Sequence, residues 1–170
     1  MHPTSLPSRA LGLLPTLLLT LTLMLTASCA STPEKPEFKL PPPQALPASV
    51  SFDGMWHSPQ FDRMYVRREG DMVRGIYTNK FGGTFEGKLE GHIIQFTWID
   101  PGDKMQARRT FQGKGYFLVT VDAEGNSKLS GEWGYDEDMR GGGVWEATWM
   151  RALDKADPKT LEEYREREVR

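Results

Sequence analysis

The sequence predicts an all-β fold, an antiparallel meander of eight or nine strands from about Phe52 to Arg151. It closes into a small barrel or a strongly curled sheet, with a short C-terminal helix after it. Two observations carry this. Sixteen of the seventeen glycines and sixteen of the eighteen aromatic residues lie between Phe52 and Trp149, the composition of short strands joined by tight turns. Within that stretch apolar and polar residues alternate, and Glu69-Gly70-Asp71, Glu90-Gly91, Asp100-Pro101-Gly102-Asp103 and Glu124-Gly125-Asn126 have hairpin-turn chemistry. Links this short join only antiparallel neighbours, and closure removes the exposed edges.

The chain opens with a short polar start carrying Arg9, then has no charged residue from Ala10 to Pro33. A positive start, an apolar run and small residues before a cleavage point read as a secretory signal. Here Leu25-Thr26-Ala27-Ser28 runs directly into Cys29, the only cysteine. This resembles the lipobox of bacterial lipoproteins. The family usually places Leu, Val or Ile three positions before the cysteine, where this chain has Thr26, with Leu25 one further back. The resemblance implies removal of residues 1–28, acylation of Cys29, and a stable anchor, since each buried methylene contributes roughly 0.8 kcal/mol. Ala30, where Asp would retain a lipoprotein at the inner membrane, implies the outer membrane. The alternative is an uncleaved transmembrane helix, because a run of ~18 apolar residues is just long enough to span. Pro15 and the interspersed Thr and Ser residues argue against it.

Removing the signal leaves roughly 140 residues, one domain's worth. With Cys29 acylated no disulfide is possible, so the fold stands on its core. All 23 acidic residues and all but one of the 21 basic residues follow Cys29, a net charge of about −3 that argues against nucleic acid as a partner.

Residues 29–50 hold the acylated N-terminus and a tether with six prolines. Proline-rich chain favours polyproline II at ~3.1 Å per residue, giving a reach of about 60 Å. Pro41-Pro42-Pro43 also has the form of a ligand for an aromatic groove, but spacer is the default reading. Residues 51–152 form the barrel domain. Phe85, Gly87 and Leu89 share one face of a strand; so do Ile94, Phe96 and Trp98, then Phe117, Val119 and Val121, then Leu129, Gly131 and Trp133, then Trp145, Ala147 and Trp149. Gly75, Gly87 and Gly131 each lie between two inward positions, as at barrel corners where a strand bends. Phe61 to Arg68 alternates poorly and leaves the strand count open by one. Residues 153–170 are a charged C-terminal helix, with Asp157 as N-cap and Pro158 at the first helical position.

Gly54-Met55-Trp56 at the start of the strand region and Trp145-Glu146-Ala147-Thr148-Trp149-Met150-Arg151 at its end resemble the opening Gly-x-Trp and the closing-strand Arg of the calycins, the lipocalin and avidin barrels. That resemblance implies a structural pair in which Arg151, sharing the inward parity of Trp145 and Trp149, stacks on Trp56 at the barrel's end. It also implies a carrier whose small apolar ligand is lined by Tyr77, Phe96, Trp98, Trp133 and Trp145. The alternative is that these rings fill the interior themselves, since an eight-stranded barrel is just wide enough for its own side chains.

Chemistry is sparse. His57 and His92 have neither zinc-ligand spacing nor a Gly-x-Ser-x-Gly elbow, and His57 and Ser58 point to opposite faces of a strand. Asp136-Glu137-Asp138 before Gly141-Gly142-Gly143 lacks the alternating order of a calcium loop and reads as a solvated hairpin tip. Arg67-Arg68, Arg108-Arg109 and Arg140 are candidates for a local basic patch, against a mixed surface. No metal, cofactor or catalytic residue is expected. The reading is a membrane-anchored, non-catalytic module that binds an envelope protein; the alternatives are the apolar-ligand carrier and a hydrolase using carboxylates that sequence cannot pair in space.

Overall fold

The computed structural model describes residues 38–79, 82–102 and 109–168. The segment read from sequence as a signal, residues 1–28, and Cys29 lie outside them. The chain divides into two units, 1–39, of which only Phe38 and Lys39 are described, and 40–170. The second unit has eight strands, β1 (Gly54–Ser58), β2 (Asp62–Glu69), β3 (Met72–Tyr77), β4 (Gly83–Glu90), β5 (Ile93–Asp100), β6 (Phe111–Val121), β7 (Ser127–Tyr135) and β8 (Gly143–Arg151), and one helix, α1 (Leu161–Glu168). Each strand pairs with the next, and β8 pairs antiparallel with β1, so the sheet is a closed barrel. The predicted all-β meander with a short C-terminal helix is the observed fold. Two-residue hairpins turn at Gly70 (φ 64°) and Gly91 (φ 56°), left-handed positions that glycine occupies without a Cβ penalty.

The inward rows alternate rings with glycines across the strands. Gly75 faces Phe85, Gly87 and Gly115 flank Phe96, and Gly131 faces Trp145. The reason is space: a methyl group on Gly75 would lie 2.2 Å from the Phe85 ring, and one on Gly115 2.5 Å from Phe96. These glycines therefore hold room for the neighbouring ring, a stronger demand than the bend read from sequence. Trp145, 1% exposed, meets Tyr77, Phe96 and Phe117 edge-on at 5.2, 5.4 and 5.3 Å, and its indole N–H donates to the Met64 sulfur at 3.3 Å.

Both ends of the bore are plugged. At one, Phe61 leaves the β1–β2 turn to lie 4.1 Å from Trp145 and 5.3 Å from Tyr77. This is why alternation failed there: Phe61 is a plug on a turn, and β2 begins one residue later at Asp62 (φ 62°). At the other, Leu46, Val50 and Phe52 pack on the core. The backbone N–H of Gln44 donates to His92 Nδ1 (3.0 Å) and that of Ser51 to Ser127 Oγ (2.9 Å). The proline-rich segment expected as spacer through residue 50 is thus docked from about Gln44 onward, because its few apolar side chains find burial on the barrel.

Three expectations near the C-terminus are corrected. Met55 pairs with Arg151 but Trp56 pairs with Trp149, so β8 carries a bulge at Met150. A bulge inserts one residue and resets which face follows, placing Arg151 beside outward-facing Met55. Trp56 is instead capped by its own turn, its indole N–H donating to the Phe52 carbonyl at 2.9 Å, and the guanidinium of Arg151 grips Asp157 with two contacts of 2.8 Å. Asp157 is therefore not an N-cap. Thr160 is: its Oγ1 accepts from the Glu163 N–H at 3.2 Å, and the Glu163 carboxylate accepts from the Lys159 N–H at 2.8 Å. Residues 153–160 are an irregular strap, and the helix begins only at Leu161.

Trp145→Ala is expected to lower the unfolding free energy by about 3–5 kcal/mol. Gly131→Ala, whose methyl would meet the Tyr116 carbonyl oxygen at 1.8 Å, is expected to cost about 1–3 kcal/mol. Urea denaturation measures both, and a Gly131→Ala chain as stable as the parent would show that β6 and β7 part without cost.

Candidate functional site

The five rings predicted to line a ligand are brought together. Tyr77, Phe96, Trp98 and Trp145 are buried in the bore and Trp133 is half-buried at its Phe61 end. They contact one another and the plug: Trp98 and Trp133 meet at 5.2 Å, and Phe61 and Trp133 at 5.9 Å. Their polar atoms are engaged internally as well. The Trp98 indole N–H donates to the Gly134 carbonyl at 3.0 Å and the Tyr77 hydroxyl to the Ile99 carbonyl at 3.4 Å. An internal ligand would have to replace these rings. Sequence already put Phe85 and Phe117 on the inward face; Phe61 gave no periodic signal. Beyond the mouth the same ring series continues to Tyr135, 50% exposed, and Phe111, 45% exposed.

The outer face carries the other candidate. Strand register sets Arg151, Met55, Tyr65, Ile76, Thr84 and Ile99 in one outward row. Outward residues of a barrel normally meet water, yet Tyr65 is 7% and Ile76 6% exposed. The C-terminal strap crosses this region. Leu161, 5% exposed, approaches Gly82, and the Tyr164 hydroxyl donates to the Thr78 carbonyl at 3.4 Å. Between the C-terminal segment and the sheet runs a groove of about 500 Å³, with Tyr65, Ile76 and Ile99 on its floor side, Lys159 and Thr160 on the strap, and Leu161 and Glu162 at the start of α1. That size lies within the range of small-molecule sites.

Its charges are unevenly committed. Arg74 is held by Glu86 at 2.6 Å and Glu69 at 3.0 Å. The side chains of Arg67, Lys159 and Glu162, and the hydroxyl of buried Tyr65, make no hydrogen bond or ion pair among the described residues. Beside the groove, Asp157 is anchored by Arg151 and by the Asp154 N–H at 2.8 Å. Hydrogen bonding from Arg151, reinforced by the backbone of Asp154 and the charges of Arg151 and Arg67, holds the Asp157 carboxyl below the usual carboxylate range despite burial. The same contact raises Arg151. Tyr65 lies in the stretch from Phe61 to Arg68 where alternation is poor, so the sequence did not mark this face as covered, and the partnership of Arg151 with Asp157 depended on a bulge.

The remaining predicted chemistry is dispersed. His57 is exposed on the outer face, and Ser58 is buried, accepting the Phe61 N–H at 3.2 Å. Glu137 pairs with Lys114, and Arg140 with Glu132 at 2.9 Å. Among the described residues no group of three or more His, Cys, Asp or Glu side chains is placed to hold a metal ion. Arg68 lies over the Phe52 ring at 5.0 Å while Arg67 faces the groove, and Arg108 is outside the described residues, so the arginines make no single patch among those described. Comparison of the chain with protein-family models, with curated proteins and with solved structures finds no match.

Asp157→Asn is expected to lower the melting temperature at neutral pH. The folded chain holds this carboxyl charged at pH values where the unfolded chain, with an Asp value near ~3.9, already protonates it. The gap between parent and variant should therefore be constant above that value and close as pH falls through the depressed value of Asp157. Thermal melts across the acid limb measure it, and a gap indifferent to pH would mean that the Arg151 contact does not stabilise the strap.

Proposed function

We propose that this chain is an exported lipoprotein, acylated at Cys29 and held at the outer membrane. In this reading its barrel is a non-catalytic module that binds through its outer surface. One observation carries the binding mode: the bore is occupied by the chain's own rings around Trp145, with indole and hydroxyl groups satisfied inside. The open apolar surface lies instead in the groove under the strap and in the exposed rings at the mouth. The uncharged run ending in Ala27-Ser28-Cys29 and the proline-rich link after it support the placement, because acyl chains supply the anchor while the domain itself remains water-compatible.

The placement is tested by metabolic labelling with a fatty-acid probe and by membrane fractionation. Cys29→Ala is expected to abolish labelling and release the chain from membranes; unchanged labelling and fractionation would overturn the anchor. The binding mode is tested by titrating the protein with a neutral apolar probe, N-phenylnaphthylamine. A filled bore leaves tryptophan emission unchanged, whereas a saturable shift in that emission would favour the carrier.

A further inference from the structure

We infer that the groove under the strap binds a small amphipathic monoanion, a carboxylate with an aliphatic tail, on the outside of the barrel. This rests on the reading that the barrel binds externally, and it names the ligand class of that surface.

The first argument is hydrogen-bond accounting. Buried polar groups in folded proteins are nearly always paired, and each exception calls for a cause. Tyr65 is 7% exposed and lines the groove, yet its hydroxyl has no acceptor among the described residues. Arg67, half-buried two positions along β2 on the same outward face, has no acceptor for its guanidinium, and Lys159 on the strap none for its ammonium, again among those residues. Two unmatched donors side by side on β2, one of them cationic, call for an acceptor, with the exposed ammonium of Lys159 lining the same groove, and a carboxylate takes a guanidinium through two oxygens.

The second argument sets the size of that charge. Three cations, Arg67, Arg74 and Lys159, and three carboxylates, Glu69, Glu86 and Glu162, line the groove. Arg74 is already spent on Glu69 and Glu86, so the groups outside any ion pair among the described residues are Arg67, whose charge also acts at longer range on Asp157, and Lys159, against Glu162. A single negative head is matched there, while a dense polyanion meets three carboxylates. The third argument is apolar. Ile76 and Ile99 are neighbours of Thr84 on the outward face, Leu161 lines the same groove from the start of α1, and Ile99 is 44% exposed. A short aliphatic tail laid along these residues would remove that surface from water.

The test uses the full chain in lipid nanodiscs, with empty discs as reference, titrated calorimetrically with octanoate, octanol and octylamine. Octanoate is expected to bind saturably, octanol at least tenfold more weakly and octylamine not at all, with tryptophan emission unchanged. Arg67→Gln should weaken octanoate tenfold or more and leave octanol unaffected, and Tyr65→Phe should weaken it several-fold, with circular dichroism confirming the fold of each variant. Equal affinity for octanoate and octylamine, octanoate binding indifferent to Arg67→Gln, or no binding of octanoate would each overturn the inference while leaving the external-module reading to its own tests. Octanoate binding that shifts tryptophan emission and survives both substitutions would overturn the two together.

Discussion

Eight closed strands leave a bore that side chains alone can fill, and this chain puts a tryptophan at its centre. Everything else accommodates Trp145. Glycines stand opposite Phe85, Phe96 and Trp145 on at least one neighbouring strand and leave these rings the room that a Cβ would take. Edge-to-face contacts between the rings then add to their burial, because the positive edge of one meets the negative face of another. Phe61 completes this arrangement from a turn, which ties the least regular segment of the sequence to its most regular feature.

A filled interior leaves the outer face as the place where open apolar surface remains. The outer row through Tyr65 and Ile76 is apolar enough to need a cover, and the chain supplies one from its own C-terminus. The single extra residue at Met150 makes this possible, since without the bulge Arg151 would point inward and Asp157 would lose its partner. One local irregularity thus decides both that the barrel's end is not sealed by an Arg–Trp stack and that the strap is pinned.

Much of the barrel was legible in the sequence because period-two alternation and turn glycines are local signals. Phe85 to Leu89, Ile94 to Trp98 and Trp145 to Ala147 face as their parity dictates. Three features were not legible, each for a physical reason. A bulge changes parity without leaving a compositional trace, so Arg151 was assigned to the wrong face. A plug residue on a turn has no period, which hid Phe61. An aspartate before Pro158 looks like a helix cap whether its carboxylate meets backbone N–H groups or a distant guanidinium, which misplaced Asp157. Of the candidate sites, the five rings share the bore as their inward parity implies; the groove required knowing that the C-terminal segment returns over the β2–β3 hairpin, a long-range contact with no local signal.

The seam between β1 and β8 joins the first strand of the barrel to the last, and that sets an order of events in assembly. Every other pairing joins consecutive strands through links of two to ten residues, while the seam must draw in the ends of the whole domain and carries the largest loop-closure cost. Until it forms, β1 and β8 each present a free edge to other chains. A newly made molecule is thus most exposed to aggregation in the interval before its last strand docks.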